Sequence, residues 1–187
     1  MTVARWLSIA LHPFVMVGVM VGTAAAPRQT AGEALKSVAT VLVFTVVPLL
    51  TLMIRQVRRG TWENVDASNR AERPLLYLVG GAALVALLGY VLMVQPPTFM
   101  VRGVVASLSM MAVCAVATRW IKMSLHMAFA ALVGTVLTLM GSIVGYAIVA
   151  VIPMLAWARL KLGRHTPPEI AIGVLIGGVS GVGLLYL

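Results

Sequence analysis

Hydrophobic residues occupy most of the chain in long runs, and short polar segments separate these runs. An α-helix needs about 20 apolar residues to cross the hydrocarbon core of a bilayer, and several runs reach that length. The pattern predicts spans at residues 6–26, 34–54, 75–94, 98–118, 124–140, 142–158 and 170–187. Residues 124–158 are too long for one span and just long enough for two with a tight turn at Gly141-Ser142. We therefore expect an all-α, polytopic transmembrane helix bundle with six or seven spans.

Two of these runs contain residues that change how a helix runs or packs. Pro13 lies inside the first run and predicts a kink there, which neighbouring helices can tolerate. His12 beside it has two interpretations: it lines a site, or it packs at the membrane interface. The last run contains Gly173 and Gly177, four residues apart, and small residues at that spacing allow close helix packing.

The composition supports a membrane protein formed by a single domain, residues 1–187. The 187 residues are 61% hydrophobic and 10% charged, with a mean hydropathy of +1.03. A soluble domain has about 25% charged residues. The spans use up the chain, so we expect no soluble module, and the first run is interpreted as a retained span rather than a signal peptide. The single cysteine, Cys114, lies within a span and excludes an internal disulfide.

Most charged residues lie in three polar segments, which we call the first (55–74), second (119–126) and third (159–169) polar segment. An even number of predicted spans separates each pair, so all three should meet on one face of the membrane. The basic residues assigned to that face are Arg5, Arg55, Arg58, Arg59, Arg70, Arg73, Arg119, Lys122, Arg159, Lys161 and Arg164. The other face carries Arg28, Lys36 and Arg102, and the positive-inside rule then favours a cytoplasmic location for the polar segments.

The net charge of +9 fits the same topology. Because the basic residues lie in short loops between spans, they indicate anionic lipid headgroups rather than nucleic acid as the partner. Four of the eleven basic residues on the predicted cytoplasmic face are also candidates for chemistry: Arg73, Lys122, Arg159 and Arg164. Without them the balance is seven to three, which leaves a weaker preference for the cytoplasmic side.

The third polar segment has five ionisable residues within eleven positions, between two apolar runs. Thr166 is a candidate N-cap, two prolines follow it, and Glu169 is at the third helical position of a capping box. His165 therefore precedes a helix N-terminus, where backbone N–H groups and the helix dipole favour an anion. Together with Arg159, this arrangement predicts a phosphate site. In the first polar segment, near-helical spacing of polar residues from Asp66 predicts a short interfacial helix that places Arg73 at the membrane surface.

The polar segments contain three motifs, which are Asp66-x6-Arg73-Pro74, then Met123-Ser124-Leu125-His126, then Ala158-Arg159-x5-His165-x3-Glu169. They resemble K-x6-R-P, P-S-G-H and S-R-x5-H-x3-D, which occur in this order in the type 2 phosphatidic acid phosphatase superfamily of integral membrane lipid phosphatases. The order, the spacing and the positions at span ends agree, while Asp66, Leu125 and Glu169 depart from the family residues. The resemblance covers residues 66–187 and is greatest to short bacterial members.

The resemblance implies a metal-independent lipid phosphatase without a cofactor, in the inner membrane of a bacterium. His165 would be the nucleophile and form a phosphohistidine, Glu169 would hold its other ring nitrogen, and His126 would protonate the leaving group. The residues that would bind the phosphate oxygens are Arg73, Arg159 and Ser124, with Lys122 or Arg164 in place of the missing motif lysine. The substrate would be a membrane phospholipid phosphate, or a polyprenyl phosphate or diphosphate.

Each role has a structural alternative. Glu169 could be only a helix cap, His126 only an interfacial residue, and Arg159 and Arg164 only anchors in the headgroup region. At the level of function, the alternative is a non-enzymatic protein that binds or transports a lipid phosphate with the same cationic pocket. A metal-dependent prenyl or phosphatidyl transferase is less favoured, because the few acidic residues do not form a metal motif. The sequence leaves homo-oligomerisation open.

Overall fold

The computed structural model describes residues 2–67, 69–94 and 97–184, and these form eight α-helices and no strand. The helices are α1 (Thr2–Ala10), α2 (Pro13–Ala25), α3 (Ala31–Arg58), α4 (Arg73–Met93), α5 (Thr98–Ala117), α6 (Leu125–Leu139), α7 (Ile143–Lys161) and α8 (Pro167–Gly183). The all-α class is thus confirmed, and each predicted span corresponds to a helix or, for residues 6–26, to the pair α1 and α2. Residues 185–187, at the predicted end of the last span, lie outside the described ranges.

Four of these helices, α3, α4, α5 and α7, are long and apolar enough to cross a membrane. The pair α1 and α2 raises the count to five if it forms one broken span. The helices α6 and α8 are apolar but shorter, with 15 and 17 residues. By length and composition the described chain therefore has four or five candidate spans, which is consistent with an integral membrane protein, and the predicted six or seven are not confirmed.

The predicted kink in the first run is present as a break between α1 and α2, where the axis bends by 44°. Pro13 is the first residue of α2, a position at which the missing N–H has no cost. His12 is the N-cap, and its Nδ1 accepts a hydrogen bond from the backbone N–H of Phe14 at 3.2 Å. This cap orients the His12 ring, which packs edge-on against the ring of His126 in the neighbouring helix α6.

The helix α6 is the centre of the bundle, since α2, α7 and α8 all pack against it. Its contact with α8 depends on glycine, as predicted. A Cβ at Gly173 would lie 2.6 Å from the carbonyl oxygen of Ser124, and one at Gly177 would overlap the carbonyl of Ala128. The predicted break between α6 and α7 is also present, and Gly141 adopts a positive φ of 73° there. Close packing of α8 on α6 brings the third polar segment against the second.

The predicted interfacial helix in the first polar segment is largely wrong. Only Arg70–Glu72 form a helical turn, of the 3-10 type, and Arg73 is the first residue of α4. The Glu72 carboxylate accepts hydrogen bonds from the backbone N–H groups of Glu63 (2.8 Å) and Asn69 (3.1 Å), which folds the segment back on itself. Arg73 is only 2% exposed, so its side chain is enclosed by the protein and does not project from the surface.

Candidate functional site

The three polar segments meet at one end of the bundle, as the spacing of the spans predicts. Arg159 of the third segment donates from Nη1 to the Asp66 carboxylate of the first segment at 3.0 Å. Lys122 of the second segment donates from Nζ to the backbone carbonyl of Arg164 at 3.0 Å. These contacts join residues that are between 42 and 93 positions apart in the chain.

Arg159 is a buried ion-pair partner and not an anchor in the headgroup region. Its side chain is 1% exposed, and its Nη1 donates both to Asp66 and to the hydroxyl of Ser8 at 2.6 Å. Ser8 lies in α1, which packs against α7. The N-terminal helix, outside the region of family resemblance, therefore helps to orient a predicted phosphate ligand.

Arg73 is buried beside Arg159 in the same region of the protein. Its Nε donates to the backbone carbonyl of Ala67 at 2.8 Å. Ala67 has a φ of 47°, in the left-handed region that residues other than glycine rarely adopt. This turn aims a backbone carbonyl at the guanidinium group, and backbone geometry of this kind is more frequent at functional sites.

His165 and Glu169 form the contact expected of a nucleophile and its supporting acid. The His165 Nδ1 lies 2.9 Å from Oε2 of Glu169, and the same oxygen accepts a hydrogen bond from the backbone N–H of Thr166 at 3.1 Å. The ammonium group of Lys122 is 4.0 Å from this carboxylate. Glu169 is thus both the helix cap and the partner of His165, so the two interpretations of this residue are compatible.

The pKa of His165 is lowered from its usual 6.5 to about 2, and burial is the largest cause. The positive charges of Arg159, Arg73 and Lys122 contribute to this lowering, while a hydrogen bond with the backbone of Lys122 acts in the opposite direction. His165 is therefore neutral at pH 7, the state in which an imidazole nitrogen is nucleophilic. The nearby Glu169 carboxylate would stabilise a positive charge once it develops on the ring.

His126 lies in the first turn of α6 and is 6% exposed, so it is not an interfacial residue. Its ring meets the His12 ring edge-on, with the two centroids 4.9 Å apart. Arg159, His12, His165 and Arg73 are all close enough to His126 to interact with it electrostatically. Of the two interpretations that the sequence allows for His12, this position favours the one in which it lines the site. The sequence feature that points to His12 is a histidine directly before a proline in the middle of an apolar run.

Four polar atoms of predicted site residues are buried and have no hydrogen-bond partner within the described ranges. They are Nη1 of Arg73, Oγ of Ser124, Nε2 of His126 and Nε of Arg159. Ser124 is the N-cap residue of α6, as predicted, but its hydroxyl does not cap the helix. Most buried polar atoms in proteins are paired, and leaving one unpaired costs about 1–3 kcal/mol. The only other atom of this kind in the described chain is Oγ1 of Thr138.

Potential metal ligands are also present, because atoms of His12, Asp66 and His126 lie within 4.8 Å of one another. The carboxylate of Asp66, however, is already paired with Arg159, and Nδ1 of His12 accepts the Phe14 N–H, so its proton is on Nε2. Two buried guanidinium groups lie nearby. The local charge therefore favours an anion over a cation at this position.

A cavity of about 420 Å³ lies inside the bundle, between α2, α3, α4, α5 and α6, and only part of the site lines it, without His165, Ser124 or Arg159. His12, Asp66, Arg73 and His126 line one end of the cavity. Apolar side chains form most of its wall, and residues from the opposite face of the bundle, including Arg28 and Arg102, line the other end. Lys122 and Glu169 instead line a separate, exposed cleft on the outside of the polar segments.

Most of the predicted site residues are brought together by the fold. His165, Glu169 and Lys122 form one group, and Arg73, Arg159 and His126 form a second group beside it. The backbone N–H of Ser124 donates to the carbonyl of Glu169 at 3.1 Å, which connects the groups. Arg164 contributes its backbone carbonyl, and its side chain is half-buried.

Comparison of the chain with known protein families, with curated proteins and with solved structures gives no match. The resemblance to the lipid phosphatase superfamily remains a prediction from the three motifs. The roles of the residues are argued from that resemblance together with the geometry above.

Proposed function

We propose that the chain is a metal-independent membrane lipid phosphatase that forms a phosphohistidine on His165. The observation that carries this proposal is the set of four unpartnered polar atoms, which belong to Arg73, Ser124, His126 and Arg159. The three sequence motifs assign all four residues as phosphate ligands or catalytic groups. A phosphate group has enough oxygen atoms to accept hydrogen bonds from these donors.

In the proposed reaction, His165 attacks the phosphorus of the substrate. With the proton of His165 on Nδ1 and held by Glu169, the lone pair of Nε2 forms the new N–P bond while the P–O bond to the leaving group breaks. The negative charge of the bound phosphate favours the imidazolium form of His126, which donates its proton to the departing oxygen and becomes neutral. Water then attacks the phosphohistidine, His126 takes up a proton from that water, and inorganic phosphate leaves as the N–P bond breaks.

This reaction requires a small movement at His165. A neutral imidazole has one N–H group, so when Nδ1 donates to Glu169 the ring cannot also donate to the backbone of Lys122, and this second contact must be released before Nε2 attacks. Glutamate in place of the family aspartate does not prevent the supporting contact, because the longer side chain reaches Nδ1 at 2.9 Å. Glutamate at residue 169, where the family has aspartate, is therefore compatible with activity.

We further propose that α6 and α8 cross the membrane, which gives seven spans with the broken pair α1 and α2 as the first. The helix α6 is about 23 Å long at 1.5 Å per residue, less than the usual hydrocarbon thickness of about 30 Å. It is largely surrounded by other helices, so few of its residues meet lipid. With these spans, we propose that the site lies on the cytoplasmic side of a bacterial inner membrane, because the positive-inside rule favours that side for the end with more basic residues.

The proposal is tested by phosphate release from the purified protein in lipid vesicles with excess chelator. The substrates are phosphatidic acid, phosphatidylglycerol phosphate, and polyprenyl phosphates and diphosphates. We expect release that survives the chelator, is lost in His165→Ala, and is retained in Lys161→Ala, which changes an exposed residue close to the site. Rapid quenching should trap an acid-labile phosphate on the wild-type chain. Release that stops with chelator, or continues in His165→Ala, would contradict the mechanism.

A second function, binding or transport of a lipid phosphate without hydrolysis, is favoured by one observation. The cavity continues from the cationic site to the opposite face, where Arg28 and Arg102 lie. A transporter would need such a connection, and a phosphatase would not. If His165→Ala keeps its affinity for the lipid phosphate and wild type releases no phosphate, the transport function is supported.

A further inference from the structure

We infer that the substrate is a phosphate ester with a single hydrocarbon chain, and that this chain lies inside the bundle rather than along its lipid-facing surface. The inference rests on the proposed function for the phosphate end of the molecule and adds the class of lipid. It is carried by the cavity that begins at Arg73 and His126 and runs through the apolar interior.

The wall of the cavity suits a flexible hydrocarbon. Five methionines line it: Met20, Met53, Met100, Met111 and Met140. Methionine side chains are unbranched and adapt to irregular apolar partners. The hydroxyl of Thr45, another lining residue, donates to the carbonyl of Val41 at 2.7 Å, so it needs no partner from a ligand.

The volume of the cavity restricts the number of chains. At about 420 Å³ it is at the lower end of the range of about 300–1,000 Å³ that encloses one drug-sized molecule. A phospholipid with two long acyl chains exceeds that size, while one chain attached to a phosphate does not. The buried guanidinium group of Arg73 at one end complements the phosphate, and the apolar wall accepts the hydrocarbon chain.

Gly103 offers a way to shorten the cavity from its far end. It lines the cavity, and a Cβ placed on it would lie 3.8 Å from Cε of Met20, an ordinary contact. Gly103→Leu should therefore fill part of the cavity without a backbone clash. Gly81→Leu is the matched control, because Gly81 lies in a helix of the same bundle, does not line the cavity and has nothing within 4 Å of its would-be Cβ.

The experiment uses the full chain in lipid nanodiscs with butyl, octyl, dodecyl and hexadecyl phosphate and with dioleoyl phosphatidate. Two quantities are measured: phosphate release, and the rise in unfolding temperature that each compound causes. In wild type both should increase with chain length, and hexadecyl phosphate should exceed dioleoyl phosphatidate. Gly103→Leu should lower kcat/KM for hexadecyl phosphate by about tenfold or more and leave butyl phosphate unchanged, since each methylene position in an apolar pocket contributes to discrimination. Gly81→Leu should behave as wild type.

The inference is overturned if Gly103→Leu affects all chain lengths equally or none of them, or if dioleoyl phosphatidate is preferred. Loss of the proposed function has a different signature, namely no phosphate release from any compound, butyl phosphate included. In that case the inference is judged only by the rise in unfolding temperature that each compound causes. Insertion of the hydrocarbon chain into the cavity does not depend on the chemistry at His165.

Discussion

The two buried arginines of the site illustrate how a cation is retained inside an apolar bundle. Arg159 has one carboxylate and one hydroxyl as partners, and Arg73 has a backbone carbonyl. Each guanidinium group still has a nitrogen without a partner in the described part of the chain. Such an arrangement is costly for folding alone, and it becomes favourable when an anion completes it.

Arg159→Gln should destabilise the protein strongly. It removes the partner of the Asp66 carboxylate, and breaking a buried ion pair costs about 3–5 kcal/mol. The measurement is thermal unfolding in detergent, with Lys161→Gln, an exposed residue of the same helix, as the control. Adding Asp66→Asn to the variant should recover part of the loss. If Arg159→Gln and Lys161→Gln unfold at the same temperature, the ion pair between Arg159 and Asp66 does not stabilise the protein.

The lowered pKa of His165 predicts that stability falls with acid. Below the unfolded-state pKa of 6.5 the unfolded chain binds a proton that the folded chain excludes until about pH 2. The free energy of unfolding should therefore decrease by about 2 kcal/mol between pH 7 and pH 5 and stay constant at higher pH. His165→Asn removes this contribution, so the difference between the two unfolding curves isolates it. A difference that does not change with pH would contradict the burial of a neutral imidazole.

At the scale of elements, the pair α6 and α8 positions the catalytic groups. His126 and Ser124 lie at the start of α6, while His165 and Glu169 lie at the start of α8. Because Gly173 and Gly177 allow the two backbones to touch, both helix starts reach the same level of the bundle. The separation of the predicted nucleophile from the predicted acid is thus controlled by helix packing.

Gly177→Ala should separate these helices, because a methyl group there overlaps the backbone carbonyl of Ala128. We expect a loss of about 1–3 kcal/mol in stability, the usual cost of overpacking, and a fall in phosphate release. Gly178→Ala is the control one residue away, where the nearest atom to the added Cβ is 3.9 Å distant. Both variants are measured by thermal unfolding and by phosphate release. If they behave equally, the close approach of α8 to α6 is not required.

At the scale of the whole molecule, the distribution of charged and apolar residues indicates how the bundle would be oriented in a membrane. The polar segments and most of the basic residues gather at one end, and the long helices α3, α4, α5 and α7 supply the apolar length. The cavity connects this end to the opposite one. The two ends therefore face different compartments if the helices cross the bilayer.

Thr61→Cys and Gly32→Cys should report opposite sides of the membrane. Thr61 is exposed in the first polar segment, and Gly32 is exposed at the start of α3 on the other face. In intact cells an impermeant thiol reagent should label Gly32→Cys and not Thr61→Cys if the positive-inside rule holds. The native Cys114 is buried, so it should give little background. Labelling of Thr61→Cys alone would move the site to the outer face.

Much of the fold could be predicted because it depends on local properties of the chain. The length of each apolar run, the proline at residue 13, the Thr166 cap and the glycine turn at residue 141 all act on neighbouring residues. It could also be predicted that the three polar segments lie at the same end of the bundle, because an even number of helical runs separates each pair. The prediction of an interfacial helix before Arg73 failed, because the Glu72 carboxylate binds the backbone N–H of Glu63 nine residues away, which folds the segment back on itself.

By itself, then, the sequence determined the helical class, the positions of the helices and the end of the bundle that holds the polar groups, because local periodicity and hydrophobicity suffice for these. Only the tertiary structure decided which of these groups touch. The pairs Ser8–Arg159, His12–His126 and Asp66–Arg159 join residues from different helices or loops, and no local pattern encodes them. They depend on how α1, α6 and α7 pack, and this packing is set by the volume of side chains along whole helix faces.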